Sequence, residues 1–323
     1  MIETNPSKFC YTIAEPIGVC GQIIPWNYPL GMASWKIGPA LAAGNTIILK
    51  AAEQTPLSIL YLAGLIKEAG FPPGVINIIN GYGKVAGAAL AGHLDVDKIA
   101  FTGSTATGRE IMKLAASNLK NMTIETGGKS PLIVFEDAKL EAAVKYGHYG
   151  IMGNSGQICT ANSRIFVHEK VYDKFVELFK HKTHETSIIG DPFDEKTWQG
   201  PQVSKAQFDR VLSYIEAGHQ EGAKLEMGGE AYKDLNGKGF FVKPTVFTNV
   251  REDMKIYREE IFGPFVVIKS FSTDEEAIRM ANDTSYGLGA ALFTENISKA
   301  HKVARRLESG SKSPFLQRAL ALS

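Results

Sequence analysis

The first 130 residues alternate short β-branched runs with longer helical ones, and that alternation leaves few folds open. "VCGQIIPW" (19–26) is followed by "PLGMASWKIGPALAAG" (29–44), and "NTIILKAA" (45–52) by "TPLSILYLAGLIKEAG" (55–70). "VINIIN" (75–80) then leads into "GKVAGAALAGHL" (83–94), and "DKIAFTG" (97–103) into "TATGREIMKLAAS" (105–117). Successive strand–helix units predict a parallel sheet covered by helices on both faces, with ligands bound beyond the carboxyl ends of its strands. Thr55 reads as an N-cap with Pro56 in the first turn, and Gly70 closes that helix ahead of Pro72 and Pro73.

From "SPLIVFEDA" (130–138) a second α/β region begins. Helical periodicity shows at Val171, Phe175, Leu178 and Phe179, and again at Ile297, Ala300, Val303 and Leu307. Ser272 and Glu275 have the spacing of a capping box. "GDPFDEKTWQGP" and "LNGKGF" read as loops, and there is neither an internal repeat nor a low-complexity linker. The boundary is placed at Gly127 and Gly128 on the glycines alone.

Composition narrows the classes. Thirty-five basic residues oppose 34 acidic ones, for a formal charge of +1. Such a chain is no broad electrostatic magnet for nucleic acid or an anionic membrane. No stretch reads as a signal peptide or a membrane span. The three cysteines, Cys10, Cys20 and Cys159, form neither a disulfide framework nor a C-x-x-C pair. A reducing compartment is expected, with the cytoplasm as the default and an organelle left open.

Several short motifs place reactive side chains at strand or loop ends, and each has a bland reading too. "FTGSTATG" (101–108) joins a strand to a helix. Gly103 permits the tight turn, and Ser104 with the first helical N–H groups can receive a phosphate oxygen, although G-x-G-x-x-G is absent. In "ILKAAEQTP" (48–56), Lys50 and Glu53 are either a solvated loop pair or a site where a carboxylate accepts both ribose hydroxyls. The latter would repel a 2′-phosphate and so favours NAD over NADP. Glu125 in "IETGGKSP" (124–131) is a candidate general base. Asn27 in "IIPWNYPLG" (23–31) is a turn asparagine or an oxyanion donor. Cys159 in "GNSGQICTA" (153–161) is packing filler or a nucleophile, and "REEIFGPF" (258–265) offers Glu260 and Phe262 before a Gly-Pro break. The seven histidines show no metal-ligand spacing, and His148 and His168 read as core or surface residues.

Taken in order, "IIPWNYPL", "LKAAEQTP", "FTGSTATG", "ETGGKSP", "GQICT" and "EEIFGPF" resemble the successive motifs of the NAD(P)-dependent aldehyde dehydrogenase superfamily, from about residue 11 to about residue 310. Within it the chain is most similar to broad-specificity NAD-dependent enzymes, with betaine-aldehyde-type enzymes close by. The resemblance implies an α/β fold: a Rossmann-like parallel-sheet cofactor domain over 17–127 and a second α/β catalytic domain over 128–310. It implies that Cys159 is the nucleophile and Glu125 the activator of hydrolytic water. Asn27 and the Cys159 N–H would then stabilise the oxyanion. It further implies NAD as cofactor, with Lys50 and Glu53 at the adenosine ribose. Gly103 and Ser104 fall at the pyrophosphate, Glu260 at the nicotinamide ribose, and Trp26 and Phe262 line the same region. A small aldehyde is the expected substrate, no metal is expected, and a homo-oligomer (dimer or tetramer) is expected of full-length members.

Departures qualify that likeness. Residues 1–16 match only a segment that packs between subunits. After "RRLESGS" the tail "KSPFLQRALALS" (312–323) matches nothing expected, so a strand is predicted to be lost and a sheet edge exposed. Thr126 stands where leucine is usual, and Ser155 where glutamine or glycine is usual. The alternative function is an inactive, truncated relative that binds nucleotide or a full-length subunit. A cysteine–histidine hydrolase is the third reading, and no histidine motif supports it.

Overall fold

The computed structural model describes residues 10–233 and 237–315, and the chain divides between Thr126 and Gly127 into two compact units. In the first unit the strands are β1 (Val19–Ile23), β2 (Thr46–Lys50), β3 (Ile76–Ile79), β4 (Lys98–Thr102) and β5 (Asn121–Glu125). Helices α1 (Pro29–Ala42), α2 (Leu57–Glu68), α3 (Ala88–Gly92) and α4 (Thr105–Ala115) alternate with them. All pairings are parallel, in the order β3-β2-β1-β4-β5.

Side chains alternate across the strands, so one sheet face packs Ile47 and Leu49 with Met32, Ile37 and Ile59 of α1 and α2. The other packs Ile23, Ile99 and Phe101 with Leu90 of α3 and Ile111 of α4. Both faces are therefore covered, as the strand–helix alternation requires. The start of α2 differs from expectation. Pro56 is its N-cap, and the Thr55 hydroxyl instead donates to the Trp26 carbonyl at 3.1 Å.

The second unit has β6 (Pro131–Val134), β7 (Arg164–His168), β8 (Lys224–Met227), β9 (Thr245–Thr248), β10 (Phe265–Phe271), β11 (Gly289–Phe293) and β12 (Ser311–Phe315). Its helices are α5 (Leu140–Met152), α6 (Tyr172–Thr186), α7 (Lys205–Gln220), α8 (Lys255–Arg258), α9 (Asp274–Asn282) and α10 (Ile297–Arg306). The strand order is β12-β11-β6-β7-β10-β9-β8, parallel except for the β8–β9 pair. The sheet is mixed, and its central strands β6, β7 and β9 are buried along their whole length. That is why they read as apolar runs without alternation.

Two expectations change here. The capping box of α9 lies one residue later: Thr273 Oγ1 accepts the Glu276 N–H at 3.2 Å, and Glu276 accepts the Ser272 N–H at 2.8 Å. The expected loss of a strand after residue 310 is also corrected, because residues 311–315 pair in parallel with β11. Pro314 is tolerated there because an edge strand has a side that needs no donor. Residues 1–9 and 316–323 lie outside the described residues, and residues 10–16 carry no regular secondary structure. Among the described residues, no helix is long and apolar enough to cross a membrane.

Candidate active site

In the first unit the candidate residues gather at the carboxyl ends of the parallel strands. Lys50 ends β2 and is 3% exposed, and its ammonium donates to Glu53 at 2.9 Å. Burial pushes the Glu53 carboxyl up, but the bonds from Lys50 and the Gly83 backbone more than offset this and hold it below its ordinary value. Trp26 and Asn27 follow β1, with the Trp26 carbonyl pinned by Thr55. Gly103 sits between β4 and α4. A Cβ there would meet the Phe101 ring at 2.6 Å, and its N–H donates to the Glu125 carbonyl at 3.1 Å.

Ser104 is the N-cap of α4: its oxygen accepts the Thr107 N–H at 3.2 Å, while its hydroxyl donates to Thr107 Oγ1 at 2.9 Å. The buried hydroxyl oxygen of Thr105 has no protein partner among the described residues. A helix start with an orphaned hydroxyl suits a phosphate oxygen, and a carboxylate at the end of β2 suits a ribose diol. The donor set of this edge therefore fits a dinucleotide.

Glu125 ends β5. Its Oε2 accepts from the Thr102 hydroxyl at 3.4 Å, and Thr102 in turn accepts from Lys36 Nζ at 2.7 Å. Burial pulls the Lys36 ammonium below its ordinary pKa, and the charge of Glu125 partly restores it. Sequence reasoning missed Lys36 and Thr102, which it had read only as part of a helix and a strand. A lysine within the apolar "SWKIGPA" is the signal that could have flagged the first. Thr126, the unusual neighbour of Glu125, packs its methyl over Gly108.

The second unit assembles its residues at the opposite end of its strands, in the loops that enter β6, β7 and β10. Cys159 is half-buried in the loop before β7. Upstream of it, Asn154, Ser155 and Gly156 have φ of 48°, 56° and 73°, a left-handed run that Gly156 adopts freely, Asn154 tolerates and Ser155 holds only under strain. A Cβ on Gly156 would collide with the Gly263 carbonyl, so glycine lets the cysteine loop touch the Phe262–Pro264 loop backbone to backbone. Ser155 is buried, and its hydroxyl donates to the Gly200 carbonyl at 2.8 Å.

Gly127 and Gly128 perform the same service from the β6 side. A Cβ on Gly128 would lie 2.6 Å from the Cys159 carbonyl, and one on Gly127 would strike the Glu260 carboxylate. Glu260 Oε1 accepts the Gly128 N–H at 3.0 Å. Burial raises the Glu260 pKa, opposed by that bond and by Lys129 and Arg210. Phe262, two residues on, is held at φ 64°. Cys159, Glu260 and Phe262 thus share one strand edge.

Two cations behind this edge escaped the sequence reading. Arg164, fully buried at the start of β7, donates to the backbone carbonyls of Lys129, Met280, Asp283 and Ala281 at 2.9–3.3 Å. Lys129 is 1% exposed. An arginine immediately before "IFVH" and a lysine between two glycines and a strand were the available signals.

The two buried histidines, His148 and His168, serve packing. His148 bonds Ser187 at 2.9 Å beside Trp198, and burial with Lys182 lowers its pKa to about 4. His168 faces Glu136. Among the described residues, no cluster of three or more His, Cys, Asp or Glu side chains could hold a metal ion.

Comparison with known proteins places this arrangement. The model of the "Aldehyde dehydrogenase family" matches residues 1–313. An aldehyde dehydrogenase of Davidiella tassiana is 57% identical over 312 residues, covering 96% of this chain and 62% of the relative. Retinal dehydrogenase 2 of Mus musculus is 56% identical over 311 residues, covering 96% and 59%. The NAD+ complex of aldehyde dehydrogenase from Bacillus cereus superposes with a TM-score of 0.91 at 52% identity, covering 95% of this chain and 62% of that one. The chain thus spans about three-fifths of the length of the relatives it matches. It belongs to the aldehyde dehydrogenase family.

Proposed function

We propose that the protein oxidises an aldehyde to a carboxylic acid through an acyl intermediate on Cys159, with NAD+ as the oxidant. The observation that carries this reading is the amino edge of the second unit, where glycine-only contacts seat the loop of the half-buried Cys159 and the Glu260 carboxylate on the adjacent residues Gly128 and Gly127. Most buried cysteines sit in apolar packing, whereas this one is delivered by a strained loop.

The Cys159 sulfur attacks the aldehyde carbonyl as a thiolate and forms a thiohemiacetal. Asn27 is the side-chain donor to the developing oxyanion, together with the Cys159 N–H. When bound, NAD+ supplies the two-electron acceptor that turns this adduct into a thioester. Glu125 then takes a proton from water, which attacks the thioester, releases the acid and returns the thiol. Lys36 and Thr102 orient that carboxylate by hydrogen bonding.

Lys50 and Glu53 hold the adenosine ribose, and the α4 start, with Gly103 and Ser104, takes the pyrophosphate. Glu260 takes the nicotinamide ribose, and Trp26 and Phe262 line the same region. The ionised Glu53 disfavours a 2′-phosphate and supports NAD over NADP. The substrate class is small aldehydes, and we assign no nucleic acid or membrane partner. The structural relatives include an NAD+ complex and a betaine aldehyde dehydrogenase, which support this class of chemistry. A cytoplasmic, homo-oligomeric enzyme is the corresponding cellular reading.

Mixing the purified chain with NAD+ and a small aldehyde tests the proposal. Aldehyde-dependent NADH formation that disappears in Cys159→Ala supports it. NADH formation that survives the substitution overturns it, and nucleotide binding with no turnover favours the inactive-relative reading.

A further inference from the structure

We infer that Lys129 is a positioning residue whose buried ammonium is the counter-charge that keeps Glu260 ionised and seated on the Gly127–Gly128 backbone. This deepens the cofactor-site reading above and, in its consequence for binding, rests on it.

The geometry is local to the second unit. Glu260 lies against the backbone of residues 127 and 128, close enough that a Cβ on Gly127 would collide with it, and accepts the Gly128 N–H. Lys129 is the next residue, and its backbone is fixed by the Arg164 guanidinium through its carbonyl at 2.9 Å. Its side chain is 1% exposed, and its Nζ has no hydrogen-bond partner among the described residues. A long cation buried without a partner is costly unless a nearby negative charge offsets it.

The charged groups around Lys129 are Arg164 and Arg210, which oppose its ammonium, and Glu260 and Glu259, which favour it. Glu259 accepts the Tyr214 hydroxyl at 2.6 Å. Glu260 accepts one backbone N–H and is partly buried, whereas Glu259 is exposed, so Glu260 is the carboxylate that shares the low-dielectric surroundings of Lys129. Burial, then Arg164, lowers the Lys129 pKa to about 7, with both glutamates pulling the other way. Glu260 is raised by burial and lowered by Lys129, so each group supports the charged form of the other.

The pairing is tested by carbon-13 NMR titration of labelled glutamate and lysine side chains in the full chain. In Lys129→Met the Glu260 titration moves up by about one pH unit or more. In Glu260→Gln, which keeps the shape of the carboxylate, the Lys129 titration moves down. Glu260 unmoved in Lys129→Met overturns the inference. Should that variant not fold, an unmoved Lys129 in Glu260→Gln does the same.

NAD+ affinity, read by calorimetry, separates the pairing from the cofactor reading. Lys129→Met weakens binding roughly tenfold in the wild-type background and has little further effect in Glu260→Gln. Equal losses in both backgrounds, which a merely structural lysine would give, overturn the positioning role. Shifted titrations with no NAD+ binding by the wild type leave the pairing standing and overturn the cofactor reading instead.

Discussion

The two units place their candidate residues at opposite ends of their parallel strands. In the first, Lys50, Thr102 and Glu125 end β2, β4 and β5, and Ser104 opens the helix after β4. In the second, Gly128, Cys159, Glu260 and Phe262 all precede the strands they lead into. Parallel topology alone prepares the first arrangement, because strand ends and helix starts converge there. It does nothing for the second, which is built by loops meeting backbone to backbone at Gly128 and Gly156, and by the Glu260 carboxylate lying against Gly127. A topological edge is expected to tolerate side-chain change gracefully, and a glycine-built edge to tolerate it badly.

The largest expected effect lies in the second unit. Cys159→Ala lowers aldehyde-dependent NADH formation by about a thousandfold or more, measured as initial rate at saturating NAD+. Gly156→Ala comes next. Its Cβ would meet the Gly263 carbonyl at φ 73°, so denaturant unfolding should show a loss of about 3 kcal/mol or more.

The pH dependence of stability sharpens the contrast further. The unfolded chain keeps the Lys129 proton up to its ordinary pKa near 10.5, whereas the folded chain sheds it near 7. Between those values the unfolded state binds more protons, so stability rises with pH by up to about 1.4 kcal/mol per unit. Below 7 both states are protonated and the slope vanishes. Urea unfolding from pH 6 to 9.5 should show this slope in the wild type and lose it in Lys129→Met.

In the first unit, Glu53→Gln should weaken NAD+ binding by only about 1 kcal/mol, because Glu53 is 35% exposed, and should narrow the preference over NADP. The smallest effect tests a cap away from either edge. Thr273→Ala should cost about 1 kcal/mol of unfolding free energy with no change in NAD+ affinity.

The same contrast explains what was legible in the sequence. The first sheet was readable because each strand is a short apolar run followed by a helix start, and local signals suffice for that pattern. The start of α2 was misread because Thr55 uses its hydroxyl on Trp26, a residue 29 positions away. The α9 cap slipped by one because Ser272 and Thr273 are both good caps, and only the backbone geometry chooses. Strand β12 was not foreseen because its pairing with β11 depends on a neighbour, not on its own composition. Cys159, Glu260 and Phe262 were visible as motif residues. Lys129 and Arg164 were not, since burial of a charge is a tertiary fact with only a faint sequence trace.

The most direct measurement of the central claim is intact-mass and peptide-mass analysis of Glu125→Gln after mixing with NAD+ and a small aldehyde. The account predicts one acyl group per chain on the peptide that carries Cys159, formed together with one equivalent of NADH and then slow to leave. NADH released without any acyl group on Cys159, or an acyl group on a different residue, would contradict it.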